Sequence, residues 1–335
     1  MFNRVSGSSL LASDVIFSGG LVLLALATLN PCQAQAQTYP NKLIRVFIGY
    51  TTGGAADGAM RPLAKVLEGI LGQSIIIDPK PGAAGAVAAD LISKVAADGY
   101  TVYFSDSSPL TIAPHLGKLG YNPFTSFTYI GTACTLPSIL VTHPSVPAQT
   151  VNELIALTKR EPSKWSYGTS GVAGPHHISG EYFKSFTGAN LLHIPYKGGA
   201  PAMTDLMGGQ VPTMFSSLAP AVGPVKSGRI RALAVTSIKR SAAFPDVPTF
   251  DELGLKGFDS TSWLGLIGPA NLPSEVVQRF AQALVKASED KGLQENYKQQ
   301  GCDPDFNSPV VTLEKVKADF AKWGKVIRDA NIKAE

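Results

Sequence analysis

One unit recurs along this chain: a short apolar strand, a glycine-rich turn, and then a helix. It appears first where apolar residues alternate over residues 42–50, ahead of the turn at 51–57 and a helix. It continues through a second turn at 81–85 and its helix to a strand at 100–104. A strand–helix–strand–helix–strand order predicts a parallel sheet covered by helices, so the fold class is α/β.

The same unit resumes in the second half of the chain. A capping box at 150–153 precedes one predicted helix, and glycine-rich turns at 168–175 and 197–199 precede two more. At roughly 100–200 residues per domain, 335 residues fit two such domains. The predicted C-terminal helices, 274–286 and 313–327, lack glycine-rich turns and are expected to pack as scaffold.

The first 36 residues have the organisation of a secretory signal rather than of a fold. Arg4 begins a weakly positive region, 16–29 is apolar, and small residues at 34–36 favour cleavage before Gln37. The apolar stretch of about 14 residues is shorter than the ~20 needed to span a bilayer, which disfavours a membrane anchor. Lipidation at Cys32 is disfavoured because the residues before it form a poor lipobox.

Composition excludes several classes of protein. Hydrophobic residues make up 44% and charged residues 16%, which is unlike a disordered chain. The net charge of +4 is mild and scattered, so no nucleic-acid-binding surface is expected. Two cysteines follow the predicted cleavage point, Cys134 and Cys302. An exported chain can join them in a disulfide, but two buried free thiols fit the sequence equally well.

Three glycine turns precede helices and are candidates for binding chemistry: 51–57, 168–177 and 196–200. The N-terminus of a helix exposes unpaired backbone N–H groups and a partial positive charge. Glycine allows a ligand to approach that backbone closely, so such turns can bind anions without a charged side chain. A structural need for positive φ would account for each turn taken alone.

Motifs for enzymes, cofactors and metals fail on spacing. The run at 168–172 misses a nucleophile elbow by one position, and Gly53-Gly54 lacks the third glycine of a dinucleotide fingerprint. Adjacent His176 and His177 would point in different directions on a helix, which suits a metal poorly. No catalytic residue, metal or cofactor is therefore predicted. The rival interpretation is a secreted ester or amide hydrolase, with a triad drawn from Ser107 or Ser170, His177, and Asp57 or Asp205.

Asp57, Asp205 and Trp263 are interpreted separately. Asp57 can be a helix N-cap and can also contact a ligand that carries a hydroxyl or ammonium group. Asp205 lies within a predicted helix and is expected to be structural. Trp263 is expected to pack in a core or at a hinge rather than to form a ligand platform.

Motifs spread over residues 39–330 resemble one family closely. The most specific is His193-Ile194-Pro195-Tyr196-Lys197-Gly198-Gly199-x-Pro201-Ala202. Others are Gly53-Gly54-x-x-Asp57-x-x-x-Arg61, Pro79-x-Pro81-Gly82-Ala83-x-Gly85 and Ala97-Asp98-Gly99-Tyr100-Thr101. In these motifs the chain resembles the Bug (TctC-like) extracytoplasmic solute-binding receptors of tripartite tricarboxylate transporters.

The resemblance implies a two-lobed periplasmic binding protein of the type II-like class, with a ligand cleft between lobes that are each a mixed, mostly parallel sheet flanked by helices. Lobe 1 would be 39–145 plus 259–335 and lobe 2 would be 146–258, with chain crossings near 143–150 and 255–263. The protein would be a periplasmic monomer and not an enzyme. It would capture a di- or tricarboxylate, an aromatic acid or an acidic amino acid for TctA/TctB-like membrane subunits. A receptor that feeds a sensor kinase remains a further alternative.

The resemblance also implies which loops hold the ligand. These are Tyr50, Thr52, Gly53 and Asp57; Ser107 and Ser108; Ser170, Gly171, Gly174 and His177; and Tyr196, Gly198 and Gly199. Two departures from the family pattern fall in these loops. Residues 49–52 replace a common proline, and Pro175 with His176 replaces a small polar residue, so the identity of the ligand stays open.

Overall fold

A computed structural model describes residues 39–162 and 164–333; the predicted signal segment 1–36 lies outside the described residues. The strands are β1 Ile44–Ile48, β2 Ile75–Pro79, β3 Thr101–Asp106, β4 Phe127–Leu136, β5 Ser138–Thr142, β6 Ser166–Thr169, β7 Leu192–Pro195, β8 Thr213–Ser217, β9 Arg231–Val235, β10 Ser262–Pro269 and β11 Asp303–Pro304. The α-helices are α1 Ala55–Leu71, α2 Ala86–Ile92, α3 Ser108–Thr111, α4 Val151–Arg160, α5 Pro175–Thr187, α6 Gly199–Met207, α7 Leu218–Lys226, α8 Ser274–Ala287, α9 Lys291–Gln299 and α10 Pro309–Asp329. Short 3₁₀ turns lie at Ala83–Gly85 and Ala113–His115.

Two separate mixed sheets form the framework. The first has the order β11-β4-β10-β3-β1-β2, and the second has the order β7-β6-β8-β5-β9. Pairing is parallel among β2, β1 and β3 and among β7, β6 and β8, and antiparallel elsewhere. The prediction of mixed α/β sheets is therefore confirmed, and the parallel pairs lie on one side of each sheet.

Strand β5 belongs to the second sheet, where it pairs with β8 and β9. The chain therefore leaves the first sheet at Pro137, between β4 and β5, rather than near residues 143–150. It returns between β9 and β10, the latter of which begins at Ser262. Pro137 and Ser262 both line the cleft described below, so both crossings lie where the two sheets meet.

Helix α1 shows how the apolar pattern builds the first core. Met60, Leu63 and Leu67 recur at helical spacing and are at most 1% exposed against the sheet. Gly72 ends the helix in the left-handed conformation, and its N–H donates to the carbonyl of Glu68. Pro62 is inside this helix and not in its first turn, because the helix begins at Ala55.

The second core is aromatic, and a third cluster joins the two halves. Tyr167 and Phe215 on strands pack with Phe183 on α5. Tyr182 on α5 meets Trp323 on α10 edge-on with ring centroids 5.6 Å apart, which connects the second sheet's helices to the C-terminal scaffold. None of the described helices is long and apolar enough to cross a membrane.

Cys134 on β4 and Cys302 form a disulfide, with their Cα atoms 5.7 Å apart. Both residues are at most 1% exposed. Of the two alternatives that the sequence left open, the structure has the disulfide, and this bond fastens the segment after α9 to β4, next to the edge of the first sheet.

Candidate ligand-binding cleft

A cleft of about 620 Å³ lies between the two sheets, where the carboxyl ends of several strands meet. In open α/β sheets ligands bind at this position. Its lining comes from seven chain segments: Tyr50, Thr51, Gly53 to Ala56 and Gly58 around the start of α1; Asp106; Leu136 to Ser138; Pro175 and His176; Ser217 to Pro220; Ser262 and Leu264; and Gln299 to Gly301.

Three helices begin in this lining, namely α1, α5 and α7. Their N-cap residues are Gly54, Gly174 and Ser217, and none of the three makes a side-chain cap hydrogen bond. The first-turn N–H groups of these helices therefore lack the usual N-cap acceptor. One helix comes from the first sheet's half and two come from the second, so positive helix ends face the same space from both sides.

The side chains of the lining carry little charge. Among the described lining residues there is no lysine or arginine, and Asp106 is the one carboxylate. Desolvation lowers the pKa of His176 to about 4, so this imidazole is neutral near pH 7. The favourable field for an anion thus comes from backbone rather than from cationic side chains.

The β1–α1 turn is held by Asp57. Its Oδ2 accepts from the N–H of Gly53 at 2.9 Å and from Arg61 Nε at 2.9 Å. Burial opposes ionisation of Asp57, but the hydrogen bonds from Arg61 and Gly53 outweigh it, so the pKa lies below its usual value. Asp57 therefore holds the turn in place without lining the cleft, and Gly53 in the same turn does line it.

Tyr50 and Asp106 meet at the base of the cleft. The hydroxyl of Tyr50 donates to Asp106 Oδ2 at 2.9 Å. Desolvation raises the pKa of Asp106 to about 6, although hydrogen bonding from Ser108 and Tyr50 works in the opposite direction. The residue after Asp106 is Ser107, and its hydroxyl shares a hydrogen bond of 2.8 Å with the hydroxyl of Ser262.

On the opposite side, His176 bridges two loops. Its Nδ1 lies 3.0 Å from Ser170 Oγ, and its Nε2 lies 3.2 Å from Ser217 Oγ. Both ring nitrogens are thus paired with serine hydroxyls, and neither holds the carboxylate that a Ser–His–Asp triad requires. These two hydrogen bonds of His176 join the β6–α5 loop, through Ser170, to the start of α7, through Ser217.

His177 points away from the cleft. Its ring stacks on His193 with centroids 3.8 Å apart and an angle of 9°, and its Nδ1 accepts from the N–H of Ala173 at 2.9 Å. His193 Nε2 lies 2.7 Å from Thr169 Oγ1, and this hydroxyl donates to the carbonyl of Gly171. The stacked histidines therefore support the glycine loop from inside.

The predicted site residues separate into three groups in the structure. Tyr50 and Gly53 line the cleft. Asp57, Ser107 and Ser170 bond to lining residues from behind, and Ser108 is buried at the start of α3. The others do not line it: Thr52, Gly171, Gly174, His177, Tyr196, Gly198 and Gly199.

The third glycine turn has a structural role. The N–H of Gly198 donates to the carbonyl of Ser170, and the Tyr196 hydroxyl donates to Asp205 at 2.9 Å. Asp205 is therefore a structural partner on α6, as expected. Trp263 is fully buried, and its indole N–H donates to Asp319 at 3.1 Å, in agreement with core packing.

Comparison with known proteins identifies the family. The sequence model described as "Tripartite tricarboxylate transporter family receptor" (TctC) matches residues 59–332. The chain belongs to this TctC family. Protein BugT of Bordetella pertussis is 31% identical over 300 residues, which cover 89% of this chain and 92% of BugT.

Two solved TctC-like structures carry ligands. Rpa4515 of R. palustris with adipate is 31% identical, has a TM-score of 0.76, and is matched over 88% of this chain and 99% of that chain. MatC (Rpa3494) of Rhodopseudomonas palustris with bound malate is 25% identical, has a TM-score of 0.72, and is matched over 86% and 100%. The family and the two-lobed fold are those of periplasmic solute-binding receptors, not of enzymes.

Sequence reasoning on this TctC protein missed much of the lining. Asp106 ends β3 beside the predicted Ser107, and the rule that ligands bind at carboxyl ends of strands could have selected it. The first turn of α7 was missed because Pro220, Gly223 and Pro224 argue against a helix. Gln300 comes to the cleft through the disulfide at Cys302, a pairing that the sequence left open.

Proposed function

We propose that this protein captures a small carboxylate in the periplasm and delivers it to the membrane subunits of a tripartite tricarboxylate transporter. One observation carries the proposal: three helix N-termini from both sides line a single cleft whose described lining has no lysine or arginine. Backbone N–H groups and helix dipoles at such ends favour anions. The relatives with bound adipate and malate support a dicarboxylate.

The division into lobes is part of this proposal. We assign residues 39–137 and 261–333 to one lobe and 138–260 to the other, which moves the predicted boundary at 145 to the crossing at Pro137. A carboxylate bound at once by α1 and by α5 or α7 would interact with both lobes only when they are close. Ligand would therefore shift the population toward the closed form, which the membrane subunits would recognise.

Direct contacts are proposed for residues that line the cleft, and supporting roles for those behind them. Tyr50, Gly53, His176, Ser217 and Ser262 would contact the ligand. Asp57, Ser107 and Ser170 would hold three of these in place through the hydrogen bonds described above. Water bridges would reach the more distant glycine loop.

The export and assembly of the protein are proposals as well. The chain would lose residues 1–36, remain monomeric, and dock on TctA/TctB-like subunits. Mass spectrometry of the N-terminus from a periplasmic fraction, with light scattering on the same sample, tests the first two. A mature chain that begins at Gln37 is expected, and a lipidated Cys32 would contradict the proposal.

The central experiment is thermal unfolding of the purified protein against adipate, malate, citrate and an aromatic acid, each paired with its neutral amide. The acids should raise the melting temperature and the amides should not, since binding adds about 2.7 kcal/mol when ligand is at about 100 times its Kd. Gly54→Asp should abolish the shift, because the new carboxylate occupies the N–H groups of α1. Pro273→Asp, at the N-cap of α8 and outside the cleft, is the matched control and should leave the shift unchanged. Shifts with amides as large as those with acids would refute an anion site.

A further inference from the structure

A second groove, separate from the cleft, lies among α1, α8 and α9. Its volume is about 720 Å³, within the range of about 300–1,000 Å³ that is usual for binding pockets, and it shares no lining residue with the cleft. Val66, Ile70 and Leu293 form its apolar floor; the first two pack on the first core, and Leu293 is 2% exposed. Arg279 on α8 donates to the carbonyl of Ile70 at 3.1 Å, which holds α8 against the end of α1.

Two lysines of this groove carry charges that no other described residue pairs. Lys65 on α1 and Lys286 on α8 line the groove, both are exposed, and neither side chain has an ion pair or hydrogen bond within the described part of the chain. Several helical lysines elsewhere pair with a carboxylate three or four residues away, as Lys94 does with Asp90 at 2.6 Å. The two groove lysines therefore hold charge that a second molecule could pair.

The carboxylates close to these lysines in the chain have other roles. Glu68, three residues after Lys65, accepts from the N–H at the start of β2 at 2.7 Å. Asp290 lines the groove, but its Oδ1 caps α9 by accepting from the N–H of Leu293 at 2.7 Å, where the positive helix end offsets its charge. Glu289 is exposed beside Asp290 and does not line the groove. The lining thus presents an excess of positive charge around its apolar floor.

The groove and the cleft are connected by one hydrogen bond. Asn296 on α9 lines the groove, and Gln300, which directly follows that helix, lines the cleft. The Nε2 of Gln300 donates to the Oδ1 of Asn296. A partner in the groove would therefore contact a residue that is bonded to the ligand-binding surface, which suits a partner that receives the ligand.

We propose that this groove is a docking surface for an acidic segment on the periplasmic side of the membrane subunits. The inference rests on the proposed function, because delivery to a transporter supplies the partner. Carboxylates of that segment would pair with Lys65 and Lys286, and an apolar side chain between them would pack on the apolar floor. Charge complementarity of this kind speeds association and makes it sensitive to salt.

A lipid surface is the less suitable partner for this groove. Polybasic sites for anionic lipids carry clusters of about 4–8 lysines or arginines, whereas two lysines line this groove. The apolar floor is also concave, so a flat bilayer surface would not contact it. A protruding protein segment fits both the charge and the shape.

Reconstituted uptake tests the proposal. Purified protein is added to spheroplasts of the source bacterium that lack the receptor gene, and uptake of the radiolabelled acid with the largest thermal shift is measured against protein concentration. Lys65→Glu with Lys286→Glu should raise the protein concentration at half-maximal uptake by about tenfold or more. Lys65→Gln with Lys286→Gln should raise it by about threefold and weaken its dependence on salt. Calorimetry should give both variants the wild-type affinity for the acid, since neither lysine lines the cleft.

Lys118→Glu with Lys239→Glu is the matched control. Both lysines are exposed, have no ion pair among the described residues and lie outside the groove, so this variant should keep the wild-type uptake. Unchanged uptake in the variants of Lys65 and Lys286, or an equal loss in the control, would overturn the inference. Binding of the wild type to protein-free phosphatidylglycerol vesicles that is lost in Lys65→Glu with Lys286→Glu would assign the groove to lipid and would overturn it as well.

The outcomes separate this inference from the proposed function. Equal uptake with the wild type and with the groove variants would overturn docking at the groove and leave carboxylate capture and delivery intact. A wild type that binds an acid but supports no uptake would overturn docking and delivery and leave carboxylate capture intact. Failure to bind any acid, in calorimetry and in the thermal experiment, would overturn all three.

Discussion

Gln300 donates from Nε2 to the carbonyl of Gly58 at 3.1 Å, and this carbonyl is the one that Pro62 leaves without a helical donor. Proline has no N–H, so the i→i−4 bond from position 62 to position 58 cannot form. A side chain at Gly58 would also block the approach, because its Cβ would lie 2.1 Å from Gln300 Oε1. Gly58 and Pro62 of α1 thus determine where the cleft-lining side chain of Gln300 can lie.

This relationship predicts a coupling that a double-mutant cycle can measure. Gln300→Ala should destabilise the protein by about 1–3 kcal/mol, because it leaves a partly buried carbonyl unpaired. In a Pro62→Ala background the restored N–H can bond to that carbonyl, so the same substitution should cost less, with a coupling of about 0.5–2 kcal/mol. Urea unfolding of the four proteins gives the values, and strict additivity would contradict the assignment.

Gly301 contacts the opposite side of the cleft. A Cβ added there would lie 2.9 Å from Leu218 Cβ and 3.4 Å from the backbone nitrogen of Ala219, at the start of α7. Gly301→Ala should therefore hold the two sides apart and weaken carboxylate binding by about tenfold or more. Calorimetry with the best acid of the panel provides the measurement.

Gly228→Ala is the matched control for that substitution. Gly228 has φ +69, against φ +68 at Gly301, but an added Cβ there meets no atom within 4 Å. Both variants carry the cost of a left-handed alanine, about 1 kcal/mol. Equal loss of ligand affinity in the two would show that the contact with Leu218 is unimportant.

The sequence predicted the regular framework well because its signals are local. The alternation that gives β1, the capping box in which Thr150 accepts from Glu153 N–H, and the glycine turns before α1 and α5 all act over a few residues. The place of β5 was missed because its five residues are buried on both faces and could pair in either sheet. Only tertiary packing decides that choice.

The cleft was harder to predict for the same reason. The Gly53 turn was found from its own residues, but Gln300 and Gly301 arrive from the far end of the chain through the Cys134–Cys302 bond. His176 and His177 have nearly the same sequence context, and the direction of the helix alone sends one to the cleft and the other to the His193 stack. The rotation of a helix about its own axis decides which of two adjacent residues faces the cleft, and this rotation cannot be determined from composition.

The disulfide predicts a redox dependence of both stability and binding. It closes a loop with a sequence separation of 168 residues, so its loss should cost about 2–5 kcal/mol. Because Cys302 adjoins Gly301, ligand affinity should fall in the same variant. Cys134→Ala with Cys302→Ala, compared with the wild type with and without reductant, gives both quantities. Unchanged unfolding in the double variant would mean that packing alone holds this segment.

The stacked pair of His177 and His193 predicts an acid-sensitive loop. Desolvation is the main cause that lowers the pKa of both rings, in His193 to about 3, with further lowering there from the neighbouring His177. The unfolded chain therefore binds protons at a higher pH, near 6.5, than the folded protein does. Stability from this pair is fully present above about pH 6.5 and is lost progressively as the pH falls toward 3.

The loop that this pair supports begins at Thr169, whose hydroxyl bonds to both His193 and Gly171. His193→Gln removes one titrating ring and retains a hydrogen-bonding side chain, so it should reduce the drop in unfolding free energy between about pH 7 and pH 4. His143→Gln, at an outer histidine bonded to Ser145, should reproduce the wild-type profile. Urea unfolding across this pH range makes the comparison, and parallel profiles for the wild type and His193→Gln would assign the acid sensitivity to carboxylates instead.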